Sequence, residues 1–369
     1  CSYWPEARDV FKEAQQKFRE GNFDLGLDFL TVCISAVAVD SVLFERSFYN
    51  TPKEVIQKTW EDVKKTLEYL VNILRTDAYI DTVTHLKTVF VLVPLVYYLS
   101  KNNMRFASES EKKKFLYWMY NALMWGRYSG RTYQTLQSDI VNLKNSMNAE
   151  SLIEAMRKLR GGNLEVNADD LVLEGTASRF YPMAYIVARA NRSIDWFNGM
   201  SLNNKNIGTD YKIHSHHIFP QSVLYKNGFN SSDKYDVKKV NEVANLAFLT
   251  QETNLRISNK DPLVYLAEVK EKYPKALKSQ FMPSEDFWQL TRYEDFLAER
   301  RKILAKAINT YLENRIQGED LEAELSTERI ISLGENEMTE FKSSFRWDYK
   351  QGQTEKHIEH SVLKTITAF

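Results

Sequence analysis

The sequence predicts a mainly α protein, and two stretches carry that prediction. From the start of the chain to about residue 160, apolar residues recur at helical spacing behind capping residues. Much later, Tyr293, Phe296 and Leu304 fall on one face of a long amphipathic helix. Residues 212–262 differ from both, because short apolar runs there flank a polar loop. The histidines before that loop are interpreted as part of an extended segment.

The helical elements follow in order. Residues 51–54 (T-P-K-E) predict a capping box with proline at the first helical position. The helix after them has one apolar face, formed by Trp60, Val63, Leu67, Leu70 and Leu74. Residues 89–99 predict a buried helix that is kinked or restarted at Pro94. Residues 108–111 (S-E-S-E) predict a second capping box, which opens an aromatic-rich helix, and residues 179–191 predict another helix.

Composition excludes several classes of protein. The chain has 369 residues, zero formal net charge and two cysteines, so neither a global basic field nor a disulfide framework is expected. Its longest apolar run, residues 89–99, is far shorter than the ~20 residues that span a bilayer. No secretory signal is recognisable, and the composition favours the cytoplasm. Because the chain opens at Cys1 rather than methionine, we expect a piece of a longer protein.

Histidines and asparagines cluster in the extended segment and beyond it. Half of the six histidines, His214, His216 and His217, lie within K-I-H-S-H-H-I-F-P-Q. Asn245 and Asn254 follow, nine positions apart. A neutral imidazole, with a pKa near ~6.5, can take a proton from water, and a hard divalent cation can clamp a phosphate. Adjacent residues of an extended segment face opposite sides, so the pattern suits phosphodiester hydrolysis.

This pattern resembles the HNH nucleases, also called ββα-metal or His-Me finger nucleases, in their form H-H-I-x-P-Q … N-L-x-x-L … N. The resemblance implies a small ββα module framed by helices. In that module His217 would be the general base, and Asn245 would brace the loop that carries it. His216 and Asn254 would be the metal ligands, with Mg²⁺ as the expected cofactor. Many relatives carry an acid at the position of His216, and imidazole keeps Mn²⁺ or Ni²⁺ as alternatives. His214 is interpreted as a flanking strand residue or a phosphate neighbour.

Other interpretations of the histidine cluster stay open. A zinc site would need further ligands, and neither Cys1 nor Cys33 is close in sequence. A catalytically silent HNH fold that only binds nucleic acid is favoured by the zero net charge and by the non-acidic His216. The histidines and asparagines occur jointly at the family's spacing, which favours the nuclease.

Basic residues at two places are candidate contacts to nucleic acid. Arg127 and Arg131 lie in W-G-R-Y-S-G-R-T-Y, where arginine can pair with phosphate and tyrosine can stack on a base. The alternative is a glycine-stopped helix end whose arginines pair with Asp139. Arg256 and Lys260 flank Asn254, and they either contact phosphate or form an ordinary solvated face.

The helical half carries a second resemblance. Residues 94–99 (P-L-V-Y-Y-L) and the G-R-Y-S-G … D segment resemble the helical part of the GmrSD-type restriction endonucleases. That family joins a nucleotide-hydrolysing ParB/sulfiredoxin-like domain to an HNH domain, and its D-G-Q-Q-R signature is absent here. The resemblance implies DNA as substrate, a role in restriction and antiviral defence, and a partner domain upstream of Cys1. Residues 1–160 would be the helical domain and residues 161–316 the nuclease domain.

The end of the chain predicts two further segments. Residues 317–330 are acidic and polar, which is typical of a linker. Residues 331–369 resemble the opening of a Schlafen-like AlbA-type domain, a truncated α/β segment. That resemblance implies a possible second acidic site at Glu335, Glu340 and Lys342, and hence an alternative RNase activity. No feature of the sequence indicates the oligomeric state.

Overall fold

The computed structural model describes residues 4, 6–44, 46–202 and 213–317, together with the backbone of residues 347–348 and 353–354. Helices dominate these residues, which confirms the predicted mainly α class. Up to residue 202 the α-helices are α1 (Ala7–Glu20), α2 (Leu27–Val39), α3 (Arg46–Tyr49), α4 (Lys53–Thr76), α5 (Leu92–Lys101), α6 (Glu109–Met124), α7 (Thr132–Ser146), α8 (Glu150–Leu159) and α9 (Tyr181–Ala190). From residue 213 they are α10 (Gln221–Lys226), α11 (Lys234–Val240), α12 (Gln251–Ile257), α13 (Pro262–Lys272), α14 (Pro274–Ser279) and α15 (Tyr293–Gln317). Short 3₁₀ helices lie at Val83–Leu86, Val89–Val91, Ala168–Leu171, Val243–Asn245, Glu285–Phe287 and Leu290–Arg292.

The two predicted capping boxes differ from the structure. α4 begins behind Pro52 with no side-chain cap, and the Thr51 hydroxyl donates backwards to Ser47 O at 2.9 Å, so the first box is wrong. At α6, Ser108 Oγ accepts from Glu111 N at 3.0 Å, as expected of a cap. The Glu111 carboxylate instead accepts from Ala149 N at 2.6 Å, in front of α8. Glu111 therefore links α6 to the start of α8 instead of completing a capping box at α6.

The apolar run at residues 89–99 restarts rather than kinks. A 3₁₀ turn covers Val89–Val91, and α5 begins at Leu92, which puts Pro94 in the first helical turn. The first N–H groups of a helix have no intrahelical acceptor, so proline loses nothing there. In the described part of the chain, none of the helices combines the length and apolarity that crossing a bilayer requires.

Two strands form a small antiparallel sheet among the later helices. β1 (Ile213–His217) pairs with β2 (Leu246–Thr250), with His217 opposite Leu246 and His216 opposite Ala247. α12 follows β2 without an intervening loop and packs against both strands. The two paired strands and the helix after them form the ββα arrangement that the sequence resemblance implies, with α10 and α11 in the connection between the strands.

The outer edge of β2 is covered by two side chains. Gln280 donates from Nε2 to Phe248 O at 2.5 Å and accepts from Phe248 N at 3.3 Å. Arg300 is buried and donates to Ala244 O at 2.8 Å and Leu246 O at 2.7 Å. An unpaired strand edge is prone to recruit other chains, and these bonds satisfy it within the fold. Burial lowers the pKa of Arg300 to about 9.

Buried side chains form two core clusters, and α15 contributes to both. The larger cluster holds the helical half, and Leu304 and Ile308 of α15 belong to it. The smaller cluster lies around the sheet and includes Trp196, Phe296 and Leu297. One long helix thus supports both the helical half and the ββα element.

Residues 1–318 form one compact unit and residues 319–369 a second. The boundary expected at residue 160 falls inside the first unit and stays a prediction. In the second unit, β3 (Trp347–Asp348) pairs with β4 (Gln353–Thr354) antiparallel. Gln317, where the acidic linker was expected to begin, is the last residue of α15. The remainder of that linker, and Glu335, Glu340 and Lys342, lie outside the described residues.

Candidate functional site

His216 lies on the β1 face that meets α12. Its side chain is 4% exposed, and its Nδ1 lies 2.7 Å from Asn254 Oδ1. The rings of Trp196 and Tyr265 stand edge-on to it, with centroids 6.2 and 6.1 Å away. Its Nε2 is buried and has no hydrogen-bond partner in the described part of the chain. The structure therefore brings the two expected metal ligands together and leaves one imidazole nitrogen unsatisfied.

Burial controls the charge of His216. Loss of hydration lowers its pKa to about 4, against an opposing effect of the Asn254 hydrogen bond. The neighbouring His217 lowers the pKa further, and Asp195 raises it. At neutral pH the imidazole is consequently uncharged, which is the form that binds a cation.

His217 has a separate set of partners. Its Nε2 lies 3.0 Å from Asn241 Oδ1 at the end of α11 and 3.3 Å from Gln221 Nε2 at the start of α10. Burial lowers its pKa, and the bond to Asn241 partly offsets that effect. His217 is thus neutral at neutral pH and able to accept a proton. Adjacent histidines face different elements, as expected on a strand.

Asn245 is fully buried and braces the chain just after His217. Its Oδ1 accepts from Phe219 N at 2.8 Å, while its Nδ2 donates to Phe219 O at 3.0 Å and to Val240 O at 2.9 Å. Its own backbone oxygen accepts from Ile218 N at 2.8 Å. These bonds hold the chain just after β1 against the end of α11, and the bracing role that the resemblance implies stays a prediction.

A buried carboxylate fixes the junction between β2 and α12. Asp195 Oδ2 accepts from the backbone N and the hydroxyl of Thr250, at 2.8 and 3.0 Å. Its Oδ1 accepts from Thr253 Oγ1 at 2.5 Å and from the backbone N of Phe197 and Asn198 at 3.0 and 3.2 Å. Since Asn254 follows Thr253 directly, Asp195 indirectly sets where Asn254 lies.

Three of these residues, Gln221, Asn241 and Asp195, are not predicted by the sequence pattern. Gln221 is the last residue of the H-H-I-F-P-Q motif, so its place in the motif could have marked it as a site residue. Asn241 and Asp195 lie outside the motif, in V-N-E-V-A-N and S-I-D-W-F, and no spacing rule connects them to it. From the sequence, His214 is interpreted as either a flanking strand residue or a phosphate neighbour. It lies in β1, opposite Leu249 of β2.

The expected nucleic-acid contacts are only partly accessible. Arg127 is buried, and its guanidinium is bonded to both oxygens of the Asp139 carboxylate, so the expectation of a phosphate contact is corrected in favour of the structural alternative. Arg131 is exposed just before α7. Arg256 is half exposed, bonded to Glu268 at 3.0 Å and stacked over Phe197.

Lys260 is exposed in the turn that follows α12. The position of this side chain leaves its ammonium group accessible to an anionic partner. Together with Arg131 it is a candidate contact that the structure leaves on the surface.

The donor set around His216 is small and uncharged. Among the described residues, no group of three or more His, Cys, Asp or Glu side chains is placed to hold a metal ion. A cation at this site would therefore rely on His216, Asn254 and non-protein ligands. Mg²⁺ commonly keeps several waters and binds together with substrate phosphates, so two protein ligands are compatible with such a site.

One comparison with known proteins finds a similarity to a restriction-endonuclease domain in this part of the chain. A model of the family described as GmrSD restriction endonucleases, C-terminal domain, matches residues 176–307, which include β1, β2 and α12. The match supports the GmrSD type that the sequence resembles. The chain is also similar to an uncharacterized protein of Methanocaldococcus jannaschii, MJ0686, with 24% identity over 232 residues, 58% of this chain and 36% of that protein. The chain thus matches only about a third of that relative's length.

Proposed function

We propose that residues 176–307 form a divalent-metal-dependent DNA endonuclease site of the HNH kind, acting in restriction and antiviral defence in the cytoplasm. The observation that carries the proposal is the pair of neutral histidines on β1, each bonded to a different asparagine, within a segment that matches a restriction-endonuclease domain. DNA is the substrate that such a domain implies.

His217 is the proposed general base. Its depressed pKa keeps the imidazole neutral at pH 7, so it can accept the proton of the attacking water. Asn245 holds the chain after His217 through both carbonyl and amide of Phe219, which keeps the base in one position. A positioned base contributes on the order of 10²–10⁴ in rate.

His216 and Asn254 are the proposed ligands of the divalent metal. His216 Nδ1 and Asn254 Oδ1 lie 2.7 Å apart and both groups are neutral, so the two residues would hold a cation in place of the hydrogen that they share. When bound, the metal would stabilise the charge that develops on the phosphate and the leaving oxygen. Mg²⁺ is the first candidate, and the imidazole ligand also suits Mn²⁺ or Ni²⁺.

Two uncharged ligands should hold a cation weakly without substrate. A carboxylate would add direct charge attraction, which His216 and Asn254 lack. DNA phosphate would supply the missing negative charge, so we expect metal and DNA to bind cooperatively. The exposed Arg131 and Lys260 are proposed phosphate contacts. Arg256 could join them by exchanging Glu268 for phosphate.

Nicking of supercoiled plasmid in Mg²⁺, Mn²⁺ or Ni²⁺ tests the proposal. His217→Ala should lower the rate by about 10²–10⁴-fold, because the proton acceptor is lost. His214→Ala is the matched control, since His214 lies on the same strand but has no proposed role as base or ligand. Nicking that is independent of metal, or unchanged in His217→Ala, would refute the assignment.

A second candidate is a module that binds DNA without cutting it. The uncharged ligand pair and the zero net charge favour this alternative. It predicts DNA binding that His217→Ala leaves intact, with no nicking in any metal. An RNase activity of the Schlafen-like segment predicts instead that removing the chain after Gly318, where the first compact unit ends, abolishes activity.

A further inference from the structure

A carboxamide at the end of α11 is bonded to the candidate base. Asn241 Nδ2 donates to Val237 O, one helical turn earlier, at 2.7 Å. Since a carbonyl oxygen can only accept, this bond settles which end of the Asn241 amide is nitrogen. The oxygen, Oδ1, is then the atom that lies 3.0 Å from His217 Nε2.

Gln221 supports the same oxygen from the other side. Its Nε2 donates to Asn241 Oδ1 at 2.6 Å and lies 3.3 Å from His217 Nε2. If the Gln221 amide were reversed, its carbonyl oxygen would face Asn241 Oδ1 at 2.6 Å, and two acceptors would be in contact. Asn241 Oδ1 has two lone pairs, so it can accept from both Gln221 and His217.

The 3.3 Å contact with Gln221 Nε2 alone would suit a bare His217 Nε2, but the shorter contact, with Asn241 Oδ1, selects the other tautomer of the imidazole. A hydrogen on His217 Nε2 makes the 3.0 Å contact with Asn241 a hydrogen bond, whereas a bare Nε2 would set two lone pairs against each other. We propose that Asn241, supported by Gln221, holds His217 in the Nε2–H tautomer, which leaves Nδ1 as the atom that accepts the proton of water. Asn241 and Gln221 are positioning residues. The tautomer stands on the contacts alone, and only the use of Nδ1 rests on the proposed function.

¹⁵N NMR of protein labelled at histidine tests the tautomer directly. At about pH 8, above the ordinary imidazole pKa, His217 should show a protonated Nε2 and a bare Nδ1. Asn241→Leu removes the acceptor and frees Gln221 Nε2 to donate to His217 Nε2, so the tautomer should reverse. Asn241→Asp keeps an oxygen acceptor and should restore the Nε2–H form.

Asn227 offers a matched control for the helix-end bond. Its Nδ2 donates to Val223 O at 2.8 Å just after α10, one turn back, as Asn241 does after α11. Asn227→Leu removes the same kind of bond and should leave the His217 tautomer unchanged. An effect of Asn241→Leu on the tautomer that Asn227→Leu lacks would therefore be specific to the contact with His217.

Nicking kinetics give the second measurement. Asn241→Leu should lower kcat about 10- to 100-fold with little change in KM, and Asn241→Asp should recover part of the loss. A wild-type His217 with hydrogen on Nδ1, or an unchanged tautomer in Asn241→Leu, overturns the proposal. If Asn241→Leu fails to fold, the wild-type tautomer decides alone. The expected tautomer in a protein that does not nick DNA would instead refute the proposed function and leave the tautomer assignment standing.

Discussion

Asp195→Asn should destabilise the protein although it changes a single atom. Every bond to the Asp195 carboxylate is donated to it, and each of its two oxygens receives at least one backbone N–H. An asparagine amide presents one NH₂ group, which must face Thr250 N in one orientation or Phe197 N in the other. Either orientation puts two donors together in a fully buried place.

The magnitude follows from the bonds that are lost. A hydrogen bond to a charged group is worth about 1.5–3 kcal/mol, and a buried donor without an acceptor costs about 1–3 kcal/mol. Because both contributions concern the same N–H group and partly overlap, we expect the free energy of unfolding to fall by about 3 kcal/mol. That is a large part of the total stability of about 5–15 kcal/mol that is common for a folded domain.

Urea unfolding, followed by circular dichroism, measures this loss. Asp233→Asn is the control, because Asp233 caps α11 by accepting from Tyr235 N and Asp236 N at an exposed site. Asparagine caps helices about as well as aspartate, so the control should change the stability by less than about 0.5 kcal/mol. A loss below about 1 kcal/mol in Asp195→Asn would show that the carboxylate does not organise the junction as described.

Two further predictions concern the same region. Asn245→Leu keeps the side-chain size but leaves Phe219 N and O and Val240 O without their side-chain partner. The free energy of unfolding, measured by urea titration, should therefore fall by about 3 kcal/mol. An equally stable variant would contradict the bracing role. The stability should also fall as the pH is lowered from about 6.5, the ordinary imidazole pKa, towards 4. The reason is that His216 has a folded pKa of about 4, so the unfolded state binds more protons in that window. Urea titrations across this range should show a shallower pH dependence for His216→Asn, and an unchanged dependence would count against the depressed pKa.

Much of the helical half could be predicted from sequence because its forces are local. Trp60, Val63 and Leu67 recur at helical spacing and are buried, as their pattern predicts. The failures also have local causes. At α4 the proline itself stands at the cap position, and Thr51 bonds backwards to Ser47 instead of forwards. Two competing partners for one hydroxyl cannot be ranked from the sequence alone.

The site was predictable only as far as its motif extends. His216 and Asn254 lie in the motif, and the structure places them 2.7 Å apart. Tertiary packing brings in the other two residues. Asp195 lies 55 residues before its partner Thr250, and Asn241 lies 24 residues after its partner His217. The role of Arg127 could not be decided from the sequence for a related reason: an arginine at a glycine-rich turn looks the same in sequence whether it faces solvent or a buried carboxylate such as Asp139.

The position of α15 has a consequence for how the protein reaches its native state. This helix lies near the end of the first compact unit, yet it supplies side chains to both cores, and its Arg315 donates to Asp77 O across 238 residues of chain. Contacts between residues so distant in sequence tend to form late in folding, because the entropy cost of closing a long loop comes before the contacts can stabilise the structure. A ribosome would have to release nearly all of the first compact unit before either core is complete. The candidate site around His216 and His217 would then be completed only at a late step in the folding of this unit.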